Sequence, residues 1–85
     1  MPLKKVVLDV LKPLKGPSVV EVAQTLSNLE GVSQVVVTVN EIDVETATLT
    51  ITIEGESIEF DAVKESIEGL GGIIHSIDEV VASSH

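Results

Sequence analysis

Three carboxylates come at alternate positions in one short stretch of the chain. The segment NEIDVETAT (40–48) contains Glu41, Asp43 and Glu45, each separated from the next by one aliphatic residue. Carboxylate oxygens are the ligands that calcium and magnesium prefer in proteins. The spacing does not match an EF-hand loop, and a solvated acidic turn explains the same pattern. We predict these residues as candidate ligands of a hard divalent cation at an acidic site between subunits.

A second candidate site involves the only internal histidine. His75 lies in GGIIHSIDEVV (71–81), with Asp78 three residues later. If the first and last predicted strands pair antiparallel with flush ends, Asp9 falls opposite His75 or Ser76. A carboxylate beside an imidazole can create a general base, or it can simply satisfy a histidine within a sheet. We predict the structural role and assign no catalytic residue.

The composition limits the chemistry that is available to the chain. It has 85 residues, of which 44% are hydrophobic, and we predict one domain over residues 1–85 with a frayed tail at 82–85. Cysteine is absent, which disfavours a zinc site and fits a reducing compartment. Phe60 is the single aromatic residue, so stacking of bases or flavins on aromatic rings is disfavoured. We expect a cytoplasmic protein.

The charge of the chain argues against two classes of partner. Fourteen acidic residues against five lysines and no arginine give a formal net charge of −9. Such a chain repels the phosphates of nucleic acids and the surface of anionic membranes. No apolar run approaches the roughly 20 residues of a membrane span. Cations and basic molecules are the electrostatically favoured ligands.

Six segments follow from the hydrophobic periodicity and its breaks. Strands are predicted at 4–11, 32–40, 46–55 and 73–81, where β-branched residues alternate or cluster. A capping box of Ser18 and Glu21 predicts the start of a first helix of about three turns, which Gly31 ends. A second helix begins near Phe60, and Gly55 is predicted to end the strand before it.

The order strand–helix–strand–strand–helix–strand predicts an α+β, ferredoxin-like βαββαβ fold. Right-handed crossovers then place both helices on one face of a four-stranded antiparallel sheet of order 4-1-3-2. The opposite face is predicted to be open and half apolar, and such faces usually meet a partner or a ligand. With flush ends, Ile73, His75 and Ile77 would share that face. It would also carry Val7, Asp9, Leu11, Val36, Thr38, Asn40, Thr46, Thr48, Thr50 and Thr52.

Several stretches together resemble a known family. They are LDVLKP (8–13), LEGV (29–32), EIDVET (41–46), TIEG (52–55) and GGIIHSIDEVV (71–81). In this order they resemble the archaeal family catalogued as domain of unknown function 211. The resemblance implies a small ferredoxin-like protein that assembles into homo-oligomers. The family carries no established activity, so the resemblance transfers no catalytic residue.

Three functions remain open at this point. The preferred one is a non-enzymatic homo-oligomer that binds itself, with either no cofactor or a divalent cation (calcium or magnesium) at acidic sites between subunits. The second is a regulatory domain that senses a small molecule, by analogy with other domains of this topology. The third is an enzyme that uses Asp9 and His75.

Overall fold

The computed structural model describes residues 1–84 and has the predicted topology. Its elements are β1 (Leu3–Pro13), α1 (Val19–Ser27), β2 (Val32–Ile42), β3 (Thr46–Ile58), α2 (Phe60–Gly69) and β4 (Ile73–Ala82). All strand pairs are antiparallel, and the order across the sheet is β2-β3-β1-β4. This is the predicted order 4-1-3-2 read from the other edge, so the ferredoxin-like fold is confirmed.

The hydrophobic core lies between the two helices and one face of the sheet. It contains Val6, Leu8 and Val10 from β1, Val22 and Leu26 from α1, Ala47, Leu49, Ile51, Ile53 and Ile58 from β3, and Val63 and Ile67 from α2. Because successive side chains of a strand point to opposite faces, the intervening residues of β1 and β3 lie on the face that no helix covers. We call these two surfaces the helix face and the open face.

Helix α1 begins as predicted and ends earlier than predicted. The Ser18 hydroxyl accepts a hydrogen bond from the Glu21 N–H at 3.2 Å, which satisfies one of the free amides at the helix start. The last turn tightens, with the Leu29 N–H donating to the Leu26 carbonyl at 3.2 Å. The helix therefore ends at Ser27, although Leu29 still packs against the core. Within residues 1–84, neither helix is long and apolar enough to cross a bilayer.

Strand β3 continues past Gly55 to Ile58, so the prediction that Gly55 ends this strand is wrong. A side chain at Gly55 would overlap the Gly31 carbonyl oxygen and would place its Cβ 2.9 Å from the Val32 Cα. The Glu56 N–H also donates to the Gly31 carbonyl at 3.1 Å. Glycine is needed here because two backbones approach closely, which is a common reason for glycine inside a strand.

A β-bulge interrupts the regular pairing of β2 with β3 within the acidic segment 40–48. Val39 pairs with Leu49, and the next pair is Glu41 with Thr48, so one extra residue lies in β2. This β-bulge moves Ile42 to the helix face, opposite Ala47. In the sequence the apolar positions are odd-numbered up to Val39, even-numbered at Ile42 and Val44, and odd-numbered again from Ala47, which predicts a bulge or a hairpin turn in this segment; the structure has the bulge.

Lys12 is buried at the end of the core, with 5% of its surface exposed. It follows Val6, Leu8 and Val10 on the helix face of β1, and its Nζ donates to the Pro13 carbonyl at 2.7 Å. Because the even-numbered residues of β1 face the core, the sequence predicts that Lys12 also points to the helix face. The charge of a lysine, in contrast, argues against burial.

The end of β4 is hydrogen-bonded further than the predicted frayed tail allows. Ala82 pairs with Leu3, and the Ser83 N–H donates to the Pro2 carbonyl at 3.1 Å. Pairing thus reaches residue 83 of the tail predicted at 82–85, while His85 lies outside the described residues.

Candidate functional site

Asp9 and His75 meet on the open face, where β1 and β4 pair. Asp9 pairs with Ser76, and the His75 Nδ1 lies 3.3 Å from the Asp9 Oδ2. The sequence prediction that these two residues lie together is confirmed. The imidazole is 79% exposed and the carboxylate 32% exposed. The pair is therefore a solvated surface contact, and His75 is far more exposed than the predicted place among aliphatic neighbours implies.

The flush register is wrong because β4 contains two irregularities. The pairing with β1 shifts between Val7 and Leu8 and again between Asp9 and Val10. As a result Ile77 pairs with Leu8, whose side chain is in the core, so Ile77 lies on the helix face and does not share a face with His75. A sequence pattern of alternating residues cannot predict how many extra residues a strand accommodates.

Asp78 is the extra residue of β4 at the shift between Val7 and Leu8. Its Oδ1 accepts a hydrogen bond from the Ser76 hydroxyl at 2.7 Å. This contact orients both side chains within one strand.

A shallow depression of about 460 Å³, including its open mouth, surrounds the Asp9–His75 pair. Val10, Leu11 and Thr48 complete its lining. A catalytic base is usually tuned by burial or by a strong partner, which moves its pKa toward the working pH. The imidazole here is mostly in water, so the geometry gives catalysis no specific support.

The acidic hairpin uses its polar groups mainly to shape the turn. The Asp43 Oδ1 accepts from the Val44 N–H at 2.8 Å, and the Asp43 N–H donates to the Thr46 carbonyl at 2.8 Å. The Glu45 carbonyl accepts from the Leu14 N–H at 2.8 Å, which joins the turn to the loop after β1. Glu41 lies opposite Thr48 on the open face. Over residues 1–84, no three His, Cys, Asp or Glu side chains gather where they could hold a metal ion.

Ion pairs cross the sheet at the end far from this hairpin. The Lys5 Nζ lies 2.9 Å from the Glu79 Oε2, and Lys4 pairs with Glu56 at 3.2 Å. The hydrogen bond from Lys5 to Glu79 raises the pKa of the lysine, and the negative charge of Glu79 adds to this effect. These lysines offset carboxylates of the same chain.

Exposed aliphatic side chains form the most unusual part of the surface. Leu11, Val36, Ile73 and Val81 are exposed on the open face, and Ile42 and Val44 are exposed at the hairpin. Val44 is 87% exposed, next to the acidic residues of the turn. The sequence predicts this open face and, through the order 4-1-3-2, also predicts that β2 is an edge of the sheet.

We expect His75→Ala and Asp9→Ala each to change the free energy of unfolding by less than about 1 kcal/mol. Exposed ion pairs contribute little because water competes for both partners. Urea unfolding, with a double-mutant cycle, measures the two effects and their coupling. A loss above about 2 kcal/mol for His75→Ala would show that the imidazole is buried in the protein in solution.

Comparison with known proteins places the chain in a family. The model of domain of unknown function 211, described as "Uncharacterized ArCR", matches residues 4–85. The uncharacterized protein MJ0319 of the archaeon Methanocaldococcus jannaschii is 49% identical over 80 residues, which cover 94% of this chain and 81% of that protein. The match over nearly the whole chain agrees with the fold and with the stretches that resemble the family. The chain belongs to the domain of unknown function 211 family.

Proposed function

We propose that this protein is a non-enzymatic domain that assembles with copies of itself and binds divalent cations between them. The observation that carries the proposal is the set of exposed aliphatic side chains on the open face and at the hairpin. Burial of exposed apolar side chains against a partner is favourable, so a surface that carries several of them often serves as an interaction site. A chain of only 85 residues buries a smaller fraction of its surface on folding than a larger chain does, so assembly also adds to the apolar surface that it buries.

The charge of the chain links assembly to cations. Each copy carries a formal charge of −9, so bringing copies together raises their electrostatic repulsion. Divalent cations between carboxylates of neighbouring copies reduce this repulsion. Glu41, Asp43 and Glu45 are the proposed ligands, and a second copy supplies the oxygens that one hairpin lacks. Calcium or magnesium is preferred over zinc, because the described residues offer oxygen and little nitrogen or sulfur.

Native mass spectrometry, with chelator and then with calcium, magnesium or zinc, tests both parts. We expect a multiple of the 9.0 kDa chain, with calcium or magnesium bound to the assembly and increasing its abundance. The matched control combines Glu41→Gln, Asp43→Asn and Glu45→Gln. These changes remove the charges and keep an oxygen at Asp43 for the hydrogen bond from the Val44 N–H.

The two parts of the proposal fail separately. A monomer under all conditions at micromolar concentration refutes self-assembly. If chelator does not change the abundance of the assembly, or if the control variant still binds calcium, the cation site is refuted. Self-assembly is not refuted by either result. Tight binding of zinc without a response to calcium or magnesium reverses the proposed preference.

A further inference from the structure

Lys12 is the one charged side chain that is buried among the residues that the structure describes. Only 5% of its surface is exposed, whereas the other lysines and the carboxylates within residues 1–84 reach water. It pairs with Ala47 of β3, and this smallest side chain of the core leaves room for the lysine stem. Burial of a charge is unfavourable unless an opposite charge or several hydrogen bonds compensate for the lost water.

The compensation that the chain itself supplies to Lys12 is small. The Nζ donates one hydrogen bond, of 2.7 Å, to the carbonyl of the adjacent Pro13, although an ammonium group has three N–H donors. The ion pairs formed within residues 1–84 involve Lys4, Lys5 and His75, and Lys12 takes part in none of them. Its positive charge therefore lacks a counter-ion from the described part of the chain.

Lys12 lines the small space between the sheet and the two helices. This space has a volume of about 210 Å³, including its open mouth. Its other walls are aliphatic, and they include Val22 from α1, Leu49 from β3 and Leu70 from α2, next to Gly72. Small-molecule sites usually combine apolar walls, which bury the ligand, with a few polar groups, which orient it. Lys12 is in the position of such an orienting group.

The composition of this lining selects the chemistry of a ligand. A single ammonium group matches a single negative charge, and aliphatic walls match an aliphatic body. A phosphate group carries about two negative charges and needs more donors than one lysine offers. The formal charge of −9 on the chain further opposes a second negative charge on the ligand. Because the volume includes the open mouth, only a body of a few carbon atoms fits.

We infer that Lys12 and the space beside it bind a short-chain aliphatic monocarboxylate. The carboxylate accepts hydrogen bonds from the N–H groups of the Lys12 Nζ that Pro13 does not use, and the carbon chain packs against the aliphatic walls. The site lies on the helix face of the sheet. It is therefore separate from the aliphatic side chains of the open face, and its occupancy does not depend on self-assembly.

Butyrate is the probe for this site, and butylammonium, an ion of similar length and opposite charge, is its control. In amide correlation NMR spectra of the isotopically labelled full chain, butyrate should shift the resonances of Val22, Leu70 and Gly72, which line the space. Butylammonium at the same ionic strength should leave these resonances in place. Equal shifts with both ions, or no shift with butyrate at tens of millimolar, would overturn the inference.

Two matched substitutions test the role of the lysine. Lys12→Met removes the charge and keeps an unbranched side chain, and Lys15→Met makes the same change at an exposed lysine of the adjacent loop. Lys12→Met should raise the dissociation constant of butyrate at least about tenfold, as expected for the loss of a charge-assisted hydrogen bond. Lys15→Met should raise it less than about twofold, because water screens an exposed charge. Equal effects would show that butyrate responds to the overall charge of the chain, which contradicts a site at Lys12.

Urea unfolding separates ligand binding from a purely structural role of Lys12. Without butyrate, Lys12→Met should keep or raise the midpoint, because an apolar side chain of similar size avoids the cost of burying a charge without a counter-ion. Butyrate should raise the midpoint of the wild type and leave that of Lys12→Met unchanged. A lower midpoint for Lys12→Met, together with no effect of butyrate on the wild type, would assign Lys12 to holding the Pro13 carbonyl and refute the site.

Discussion

Gly55→Ala is expected to lower the free energy of unfolding by about 3 kcal/mol, a large share of the stability of a small domain. The added Cβ overlaps the Gly31 carbonyl oxygen and lies 2.9 Å from the Gly31 carbonyl carbon. All these atoms belong to the backbone, so no side chain can rotate away and the start of β2 must move. The absence of Trp and Tyr makes far-UV circular dichroism in urea the suitable measurement.

Gly69→Ala is the matched control for this substitution. Gly69 is the last residue of α2, and an added Cβ there meets nothing within 4 Å. Alanine has the higher helix propensity, so we expect a change within about 1 kcal/mol, in the stabilising direction. Equal effects of the two substitutions would show that the Gly31–Gly55 approach is looser in solution than in this structure.

Leu49→Ala is expected to cost about 2–5 kcal/mol, the range for truncating a fully buried leucine. Leu49 lies on the central strand β3, has no exposed surface and lines the small space between the sheet and both helices. Its removal leaves a cavity that the surrounding Ile51 and Ile67 cannot fill without moving off their packed positions. Urea unfolding with an unchanged dependence on denaturant would attribute the loss to the folded state.

Leu11→Ala provides the same chemical change on the open face. Leu11 is 36% exposed, so we expect a cost of about 1 kcal/mol at protein concentrations where assembly is negligible. A cost for Leu11→Ala as large as that for Leu49→Ala would contradict an open face in the single chain. If its cost grows with protein concentration, the open face takes part in assembly.

The residues of β3 show how much of this fold is readable from the sequence. Alternation of Leu49, Ile51 and Ile53 with threonines determined a strand buried on one side, and the order of six such segments restricted the topology to βαββαβ. The parity change near Ile42 likewise determined that a bulge or turn must lie in the acidic segment. These features are local, because each depends on the spacing of residues along one element.

The tertiary structure alone decided what depends on the approach of distant segments. Gly55 reads as a strand end in the sequence, and only its contact with Gly31 explains why β3 continues. The sequence predicts a shielded His75 that shares a face with Ile77, whereas in the structure the imidazole is 79% exposed and the irregularities of β4 turn Ile77 to the other face. Adding one residue to a strand reverses the face of every later side chain. Residues far apart in the chain therefore determined the candidate site, whereas the spacing of residues within each element determined the fold.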